Sequence, residues 1–523
     1  MLTAQRLVER SLRAFGDRPA VIDGDRTFTY SALRERSARL ANALIGHGVS
    51  RDDTASILLP NEGRFVEIDL ACMRIGVTRV AMSSRLSADE CQYIVAHSCS
   101  KVLFTTPALY DSLDVAQLPE LKLILLLGEV KARSWNTGRE RDYESVLGDA
   151  QDNLLPVDPV GPDHPAFIMY TSGTTGRPKG ATHSHGGRVA AMVNMLAGEI
   201  RADSRSAMLH CGPLSHGSGS KLLTFLALGA RNVVLSKFEP GQFAQAIERH
   251  GCTHSFMVPT MLQMLLDGGE PVRLAVRKMH QVSFGGAPIT DALFERSIDG
   301  FGPILTQVYG SCEAPHPITV MQPDDYTGLT NPGVLAQSAG RASPGSDIQI
   351  VDDEGNTLPA GSEGELWVRG THVMRGYWRD EIATADAFGP GRWYKTGDIA
   401  AIDEAGFVSF RDRKRDLIIT GGLNVYPSEV ERVLAEHPRV KEAAVVAFPD
   451  DRWGESILAC VVAADGDPPS EADIIDWAGQ YLASYKKPRK VVFMSELPKG
   501  STNKVLKREL KAQYWEGRTR RIN

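Results

Sequence analysis

The segment that most constrains this chain is Tyr170-Thr-Ser-Gly-Thr-Thr-Gly-Arg-Pro-Lys-Gly180, which follows the strand-like run Ala166-Phe-Ile-Met. Its three glycines let backbone amides converge on an anion. The hydroxyls of Thr171, Ser172, Thr174 and Thr175 add donors around Gly173, and Arg177 and Lys179 add positive charge. Together these groups suit a triphosphate, so the segment reads as a phosphate loop. It is not the GxxxxGK[ST] loop: Pro178 precedes the lysine, and Gly180 stands where that loop needs a hydroxyl for magnesium.

A chain of 523 residues is too long for one core, so two or more packed units are expected. With 42% hydrophobic and 23% charged residues it lies far from disordered or collagen-like composition. Its 58 basic and 64 acidic side chains leave a net charge of -6, which gives no global attraction to nucleic acid or to an anionic membrane. The cysteines, at 72, 91, 99, 211, 252, 312 and 460, form no CxxC pair, and a reducing cytoplasm fits them best. The N-terminus lacks the apolar core of a signal peptide. The aliphatic stretch at Leu123–Leu127 is far short of the roughly 20 apolar residues of a membrane span, so a soluble protein is expected.

Val102-Leu-Phe-Thr-Thr and Leu121-Lys-Leu-Ile-Leu-Leu-Leu read as short buried strands. The stretch from Tyr30 to Ile45 places apolar residues at 33, 40, 41, 44 and 45 on a helical period. Strands alternating with helices predict an α/β class. From about 333 to 411, Gly and Pro recur among runs such as Asp347-Ile-Gln-Ile-Val, which predicts a β-rich, barrel-like section closing a large domain. The charge run Arg411-Asp-Arg-Lys-Arg-Asp416 sits at a composition boundary and is read as a linker, although such a run is by itself an ordinary solvated turn. Residues 417–523 suit a small α/β domain.

With the phosphate loop as first match, further motifs resemble the adenylate-forming superfamily of acyl-CoA synthetases, peptide-synthetase adenylation domains and luciferases, and occur in the family's order. Gly285-Gly-Ala-Pro288 and Gln307-Val-Tyr-Gly-Ser-Cys-Glu313 are similar to its adenine loop, and Trp393-Tyr-Lys-Thr-Gly-Asp398 to its ribose motif. Asp412–Asp416 resembles the hinge, Gly421-Gly422 and the residues after them the thiol-channel segment, and Leu497–Lys504 the C-terminal lysine motif. The resemblance covers almost the whole chain and implies an N-terminal ATP- and acid-binding domain over 1–411, a hinge at 412–416 and a mobile C-terminal lid over 417–523.

The resemblance also distributes roles. ATP is expected at Thr171, Ser172, Gly173, Thr174, Thr175 and Lys179, at Gly285, Gly286 and Ala287, at Gln307, Tyr309, Gly310 and Cys312, and at Asp398 and Arg413. Tyr309 can stack on adenine while Gln307 bonds its amino edge. Glu313 is similar to the family's ligand of Mg²⁺, a hard cation suited to a carboxylate beside phosphate oxygens. Lys504 is expected to offset the charge that gathers when a carboxylate attacks the α-phosphorus. His216, in Pro213-Leu-Ser-His-Gly-Ser-Gly219, matches the residue that gates the acyl site, and Val308, Gly286 and His316 join it as the acyl pocket. His185 is left out of the catalytic set. Gly421, Gly422 and Trp453 are expected along the coenzyme A channel, and Arg415 at the pivot.

Three departures matter. Gly500 and Asn503 replace the family's usual Thr and Gly, and Asn tolerates left-handed backbone. Cys312 stands where the family usually carries Thr, and its thiol is a poorer donor than that hydroxyl; with no base placed beside it by any motif, it is not read as a nucleophile. Val308 replaces a pocket glycine and narrows the cavity, which favours an aromatic or short to medium acid. The implied reaction is activation of a carboxylic acid by ATP to an acyl-AMP and its capture by coenzyme A. The alternatives are an enzyme that loads a separate carrier protein, a long-chain fatty acyl ligase, a luciferase-like oxygenase and a non-catalytic binding module. A homodimer is left open.

Overall fold

The strands Val102–Thr105 and Leu123–Leu126 are buried along their whole length and pair in parallel, Val102 opposite Leu123, as their unbroken apolar runs predict. The helix Tyr30–Gly46 starts where Thr29 accepts a hydrogen bond from the Ala32 amide at 3.0 Å and buries Leu33, Leu40, Ala41 and Leu44. The structure is a computed structural model that describes residues 2–128, 137–171, 177–327, 338–450, 452–464, 466–500 and 505–515. Among these residues the backbone separates into two compact units, one of residues 1–348 and 368–394, the other of 349–367 and 395–523.

The first unit holds two sheets. In one, the strands Leu305–Tyr309, Gln281–Gly285, His254–Met257, Ala207–His210, Arg231–Val234 and Pro19–Asp23 are parallel neighbours in that order. Helices in the crossovers, among them Pro240–His250 and Asp291–Phe301, bury Phe243 and Phe294 against them. The other sheet runs Gly376–Tyr377, Gly180–Ser184, Pro165–Tyr170, Thr78–Ser83, Thr54–Leu59 and on through Val102–Thr105 and Leu123–Leu126. In open parallel sheets ligands bind beyond the carboxyl ends of the strands, and here those ends deliver Gly285 and Tyr309 to one edge.

The second unit holds a four-stranded sheet in the order Asp347–Val351, Glu363–Arg369, Tyr394–Ile402, Val408–Arg413. It also holds a sheet built on the long antiparallel pair Val440–Asp450 and Gly454–Ala463. The stretch 333–411 expected to be β-rich supplies the strands of the four-stranded sheet and the short pieces Arg341–Ala342 and Gly376–Tyr377 together with a helix, Glu381–Ala387, and by packing its residues 349–367 and 395–411 group with the C-terminal residues.

A buried ion cluster braces the first unit. The Asp69 carboxylate receives both terminal nitrogens of Arg188 and lies 2.8 Å from Arg79 Nε. Burial opposes its charge, but Arg188 and Arg79 hold its carboxyl below the usual range. Both guanidiniums also lie over the Phe167 ring, at 5.6 and 5.2 Å. Asp69→Asn leaves two buried cations uncompensated and is expected to cost about 3–5 kcal/mol, measured by urea unfolding. Because the folded value lies below the unfolded one of about 3.9, this stabilisation is complete above that pH and is lost as pH falls through the folded value. Below pH about 4 the gap between wild type and variant should therefore shrink.

Candidate active site

The strands Pro165–Tyr170 and Gly180–Ser184 form a hairpin with Tyr170 opposite Gly180, closed by the Thr171 amide donating to the Lys179 carbonyl at 2.9 Å. Ser172, Gly173, Thr174 and Thr175 lie outside the described residues. Gly180 has to be glycine, since a Cβ there would sit 2.7 Å from Ile168 Cγ2. The edge strand Gly376–Tyr377 adds to this hairpin with Tyr377 opposite Ala181, which lays the Tyr377 ring 5.3 Å from Lys179 Nζ. Its hydroxyl donates to Glu313 Oε1 at 2.9 Å. Burial first, then the Glu313 carboxylate, push the Tyr377 phenol far above its ordinary value, so it acts only as a neutral donor. Lys179, Tyr377 and Glu313 are thereby gathered beside the hairpin.

The other half of the site comes from the strand Leu305–Tyr309. Gly285 pairs with Val308 so closely that a Cβ would fall 2.2 Å from the Val308 carbonyl oxygen, and Gly286 and Ala287 follow on the surface. Gln307 carries a buried side-chain oxygen with no partner among the described residues. A buried oxygen of this kind can take a donor from water or from a ligand, and an adenine amino group would suit it, with the half-buried Tyr309 two residues on as an aromatic face for stacking. Gly310 then allows the turn to press on His316, whose amide nitrogen would lie 2.5 Å from any Cβ. Ser311 Oγ accepts from the Glu313 and Ala314 amides. His183 Nε2 donates to the Cys312 carbonyl at 2.7 Å, and the Met374 amide to the Glu313 carbonyl at 2.7 Å. Among the described residues no group of three or more His, Cys, Asp or Glu side chains could hold a metal ion. A magnesium ion therefore fits only as one taking Glu313 with phosphate oxygens and water, which is how that ion commonly binds beside nucleotides.

The acyl-pocket residues are partly assembled. His316 stacks on Phe256 with ring centres 4.9 Å apart, and its Nε2 lies 3.1 Å from Ser220 Oγ. Burial, then the Lys221 charge, hold His316 well below its ordinary value, so the ring is neutral. Val308 is buried in the same apolar cluster as Phe256. Gly217 is wedged there too, a Cβ falling 2.7 Å from Phe256 Cε1. His216 precedes it with Nδ1 2.8 Å from Ser215 Oγ, while Gly286 approaches Val258. Behind Phe256, the fully buried Lys221 pairs with Glu199. His185 is also fully buried, brought down to about 3 by burial.

In the second unit Asp398, on Tyr394–Ile402, lies opposite Arg413 and 3.1 Å from its Nε. Gly421 takes a left-handed φ of 58°, donates its amide to the Trp453 carbonyl at 2.9 Å, and leaves no room for a Cβ, which would meet Trp453 Cε3 at 2.6 Å. Gly422 follows at φ 79°. Arg415 Nε lies 3.9 Å from Asp416. Lys504 lies outside the described residues. The sequence reading missed Tyr377, His183 and Lys221. Tyr377 reaches Glu313 only through strand pairing, and His183, in Thr182-His-Ser-His185, is told from His185 by where the strand Gly180–Ser184 ends and the helix His185–Asn194 begins.

The AMP-binding enzyme family matches residues 8–378, and the AMP-binding enzyme C-terminal domain matches residues 429–504. The chain belongs to the AMP-binding enzyme family. It is 34% identical over 498 residues to a feruloyl-CoA synthase from an Amycolatopsis species, covering 95% of this chain and 96% of that one. It is 33% identical to an indoleacetate–CoA ligase from Aromatoleum aromaticum, covering 93% of each. Among solved structures, an amide bond synthetase from Marinactinospora thermotolerans aligns at a TM-score of 0.86 and 31% identity over 98% of this chain and 99% of that one.

Tyr377→Phe removes the donor to Glu313 and keeps the ring under Lys179. Acid-dependent pyrophosphate exchange is expected to fall about tenfold, the worth of one hydrogen bond to a charged group, with the thermal midpoint nearly unchanged. Wild-type exchange would show that Glu313 is held without it.

Proposed function

We propose that this protein activates an aromatic or short to medium carboxylic acid and joins it to coenzyme A, with Lys504 serving the first step and Gly421, Gly422 and Trp453 the second. It is an AMP-forming acid–thiol ligase. The observation that carries the site reading is the gathering of Lys179, Tyr377 and Glu313 beside a strand end that presents Gln307 and Tyr309. In the first half-reaction the acid's carboxylate oxygen attacks the α-phosphorus of ATP and pyrophosphate leaves. Lys179 and the phosphate loop hold the departing phosphates, Gln307 and Tyr309 fix the base, and Asp398 with Arg413 takes the ribose hydroxyls. Glu313 would hold a magnesium ion, which would supply charge neutralisation on the phosphates. In the second half-reaction the thiol of coenzyme A attacks the acyl carbonyl, AMP leaves, and the thiol proton is released. Both Lys504 and the Gly421 segment belong to the C-terminal residues, so rotation about 412–416 with Arg415 at its pivot would present them in turn.

Two relatives carry names for aromatic acids, ferulate and indoleacetate, and the buried Val308 beside Phe256 supports a compact pocket here. A cytoplasmic setting is supported by seven cysteines that form no disulfide. No described helix is long and apolar enough to cross a membrane.

Lys504→Ala should lower acyl-AMP formation by about a hundred- to a thousandfold, while synthetic acyl-AMP plus coenzyme A bypasses the defect. Equal loss with the preformed adenylate would show that the lysine serves another step. Val308→Gly should extend the accepted acids by one or two carbons, a discrimination of about 1–3 kcal/mol, read from kcat/KM over a graded series of aryl and alkyl acids. Unchanged selectivity would remove Val308 from the pocket.

A further inference from the structure

The charge run at 411–416 is sorted by sign within the second unit. Three of its four basic residues reach the four-stranded sheet and the turn beside it: Arg411 bonds Glu363 at 2.6 Å, Arg413 bonds Asp398 at 3.1 Å, and Lys414 bonds Asp353 at 2.8 Å and Glu365 at 3.3 Å, while Arg415 lies 3.9 Å from Asp416. Its acidic residues reach the helices instead. Pro427–Ala435 begins at Tyr426, whose side chain makes no capping hydrogen bond. Asp412 supplies the missing acceptor, taking the Ser428 amide at 2.7 Å, while Ser428 Oγ donates to the Arg411 carbonyl. At the far end Lys511 Nζ lies 3.7 Å from Asp416.

Lys507 lies at the centre of the acidic side. It opens the helix Lys507–Trp515 one turn before Lys511, and its Nζ bonds Glu431 Oε1 at 2.7 Å, an oxygen that also accepts from the Val445 amide. Both side chains are largely buried, 19% and 23% exposed. Burial disfavours the Lys507 charge, but Glu431, Asp412 and Asp416 outweigh it and keep the ammonium charged. Two residues upstream, Val505 pairs with Lys499, and the Leu506 amide donates to the Pro498 carbonyl at 2.8 Å. Lys507 thus sits at the foot of the segment that carries Lys504.

We propose that Lys507 is a positioning residue, which binds the acidic half of the linker, the helix Pro427–Ala435 and the foot of the Lys504 segment into one body. The pivot then works by release of the basic half, whose cations are 33–44% exposed against 19% and 20% for Lys507 and Lys511, and whose pairs are individually weak. The proposal rests on Lys504 as the adenylation lysine and on 412–416 as the pivot.

The test measures the half-reactions separately, pyrophosphate exchange for the first and thioester formation from synthetic acyl-AMP for the second. Lys507→Met should lower the first at least tenfold through kcat, leave KM for ATP within about twofold and leave the second within about threefold. Lys507→Arg should restore the first. Because the single variant strands Glu431, the double variant Lys507→Met/Glu431→Leu removes both buried charges; it should regain thermal stability yet keep the adenylation defect. Wild-type rates in Lys507→Met, an equal fall in both half-reactions, or activity regained by the double variant would each overturn the proposal. Lys504→Ala run alongside separates the two readings. If it abolishes exchange while Lys507→Met does not, only the positioning role fails; if it leaves exchange intact, the Lys504 assignment fails first and this role with it.

Discussion

The turn that carries Glu313 depends on a neutral histidine. His183 donates to the Cys312 carbonyl, and burial brings its imidazole down to about 4, so the ring that makes this bond is neutral. The ring is held in turn by stacking on Phe167, 4.6 Å away and nearly parallel. The same phenylalanine carries the guanidiniums of Arg79 and Arg188, which Asp69 fixes from the next layer. A line of contacts therefore runs from a buried carboxylate in a helix, through two arginines and two rings, to a backbone carbonyl one residue from the candidate metal ligand. Tyr377 and the Met374 amide grip the other side of the turn. The strand Leu305–Tyr309 belongs to one sheet and these clamps to the other, so the site is the seam between the two sheets of the first unit.

Much of this was legible in the residues alone, for a physical reason. Features governed by local rules could be read directly: unbroken apolar strands at 102–105 and 123–126, the helix at 30–46 from its period, and glycines where a Cβ has no room, as at Gly180, Gly285 and Gly421. Chemistry tied to ordered motifs was readable too: Glu313 and Lys179, read from separate motifs, both lie against Tyr377.

What escaped was whatever depends on pairing between distant segments. Tyr377 lies 64 residues from Glu313 and meets it only because its two-residue strand adds to the edge of a hairpin. His183 and His185 have the same composition signal, yet one faces the turn and the other is enclosed beside His164. Lys221 reads as a surface lysine after a small-residue run and is instead buried against Glu199. The grouping of 349–367 and 395–411 with the C-terminal residues has no marker in composition, since it follows from which strands share a sheet.

The sorting of the linker by sign has a consequence for the solution around the protein. Dissolved ions weaken attractions between exposed charges over about 8 Å at physiological strength and reach buried ones much less. Arg411 and Lys414, 33% and 44% exposed, stand in reach of that screening with Glu363 and Asp353, while Lys507 and Glu431 largely do not. Salt therefore loosens one side of the linker and spares the other. The ionic medium becomes a bias on which way this joint can give, set by the depth at which each charge was placed.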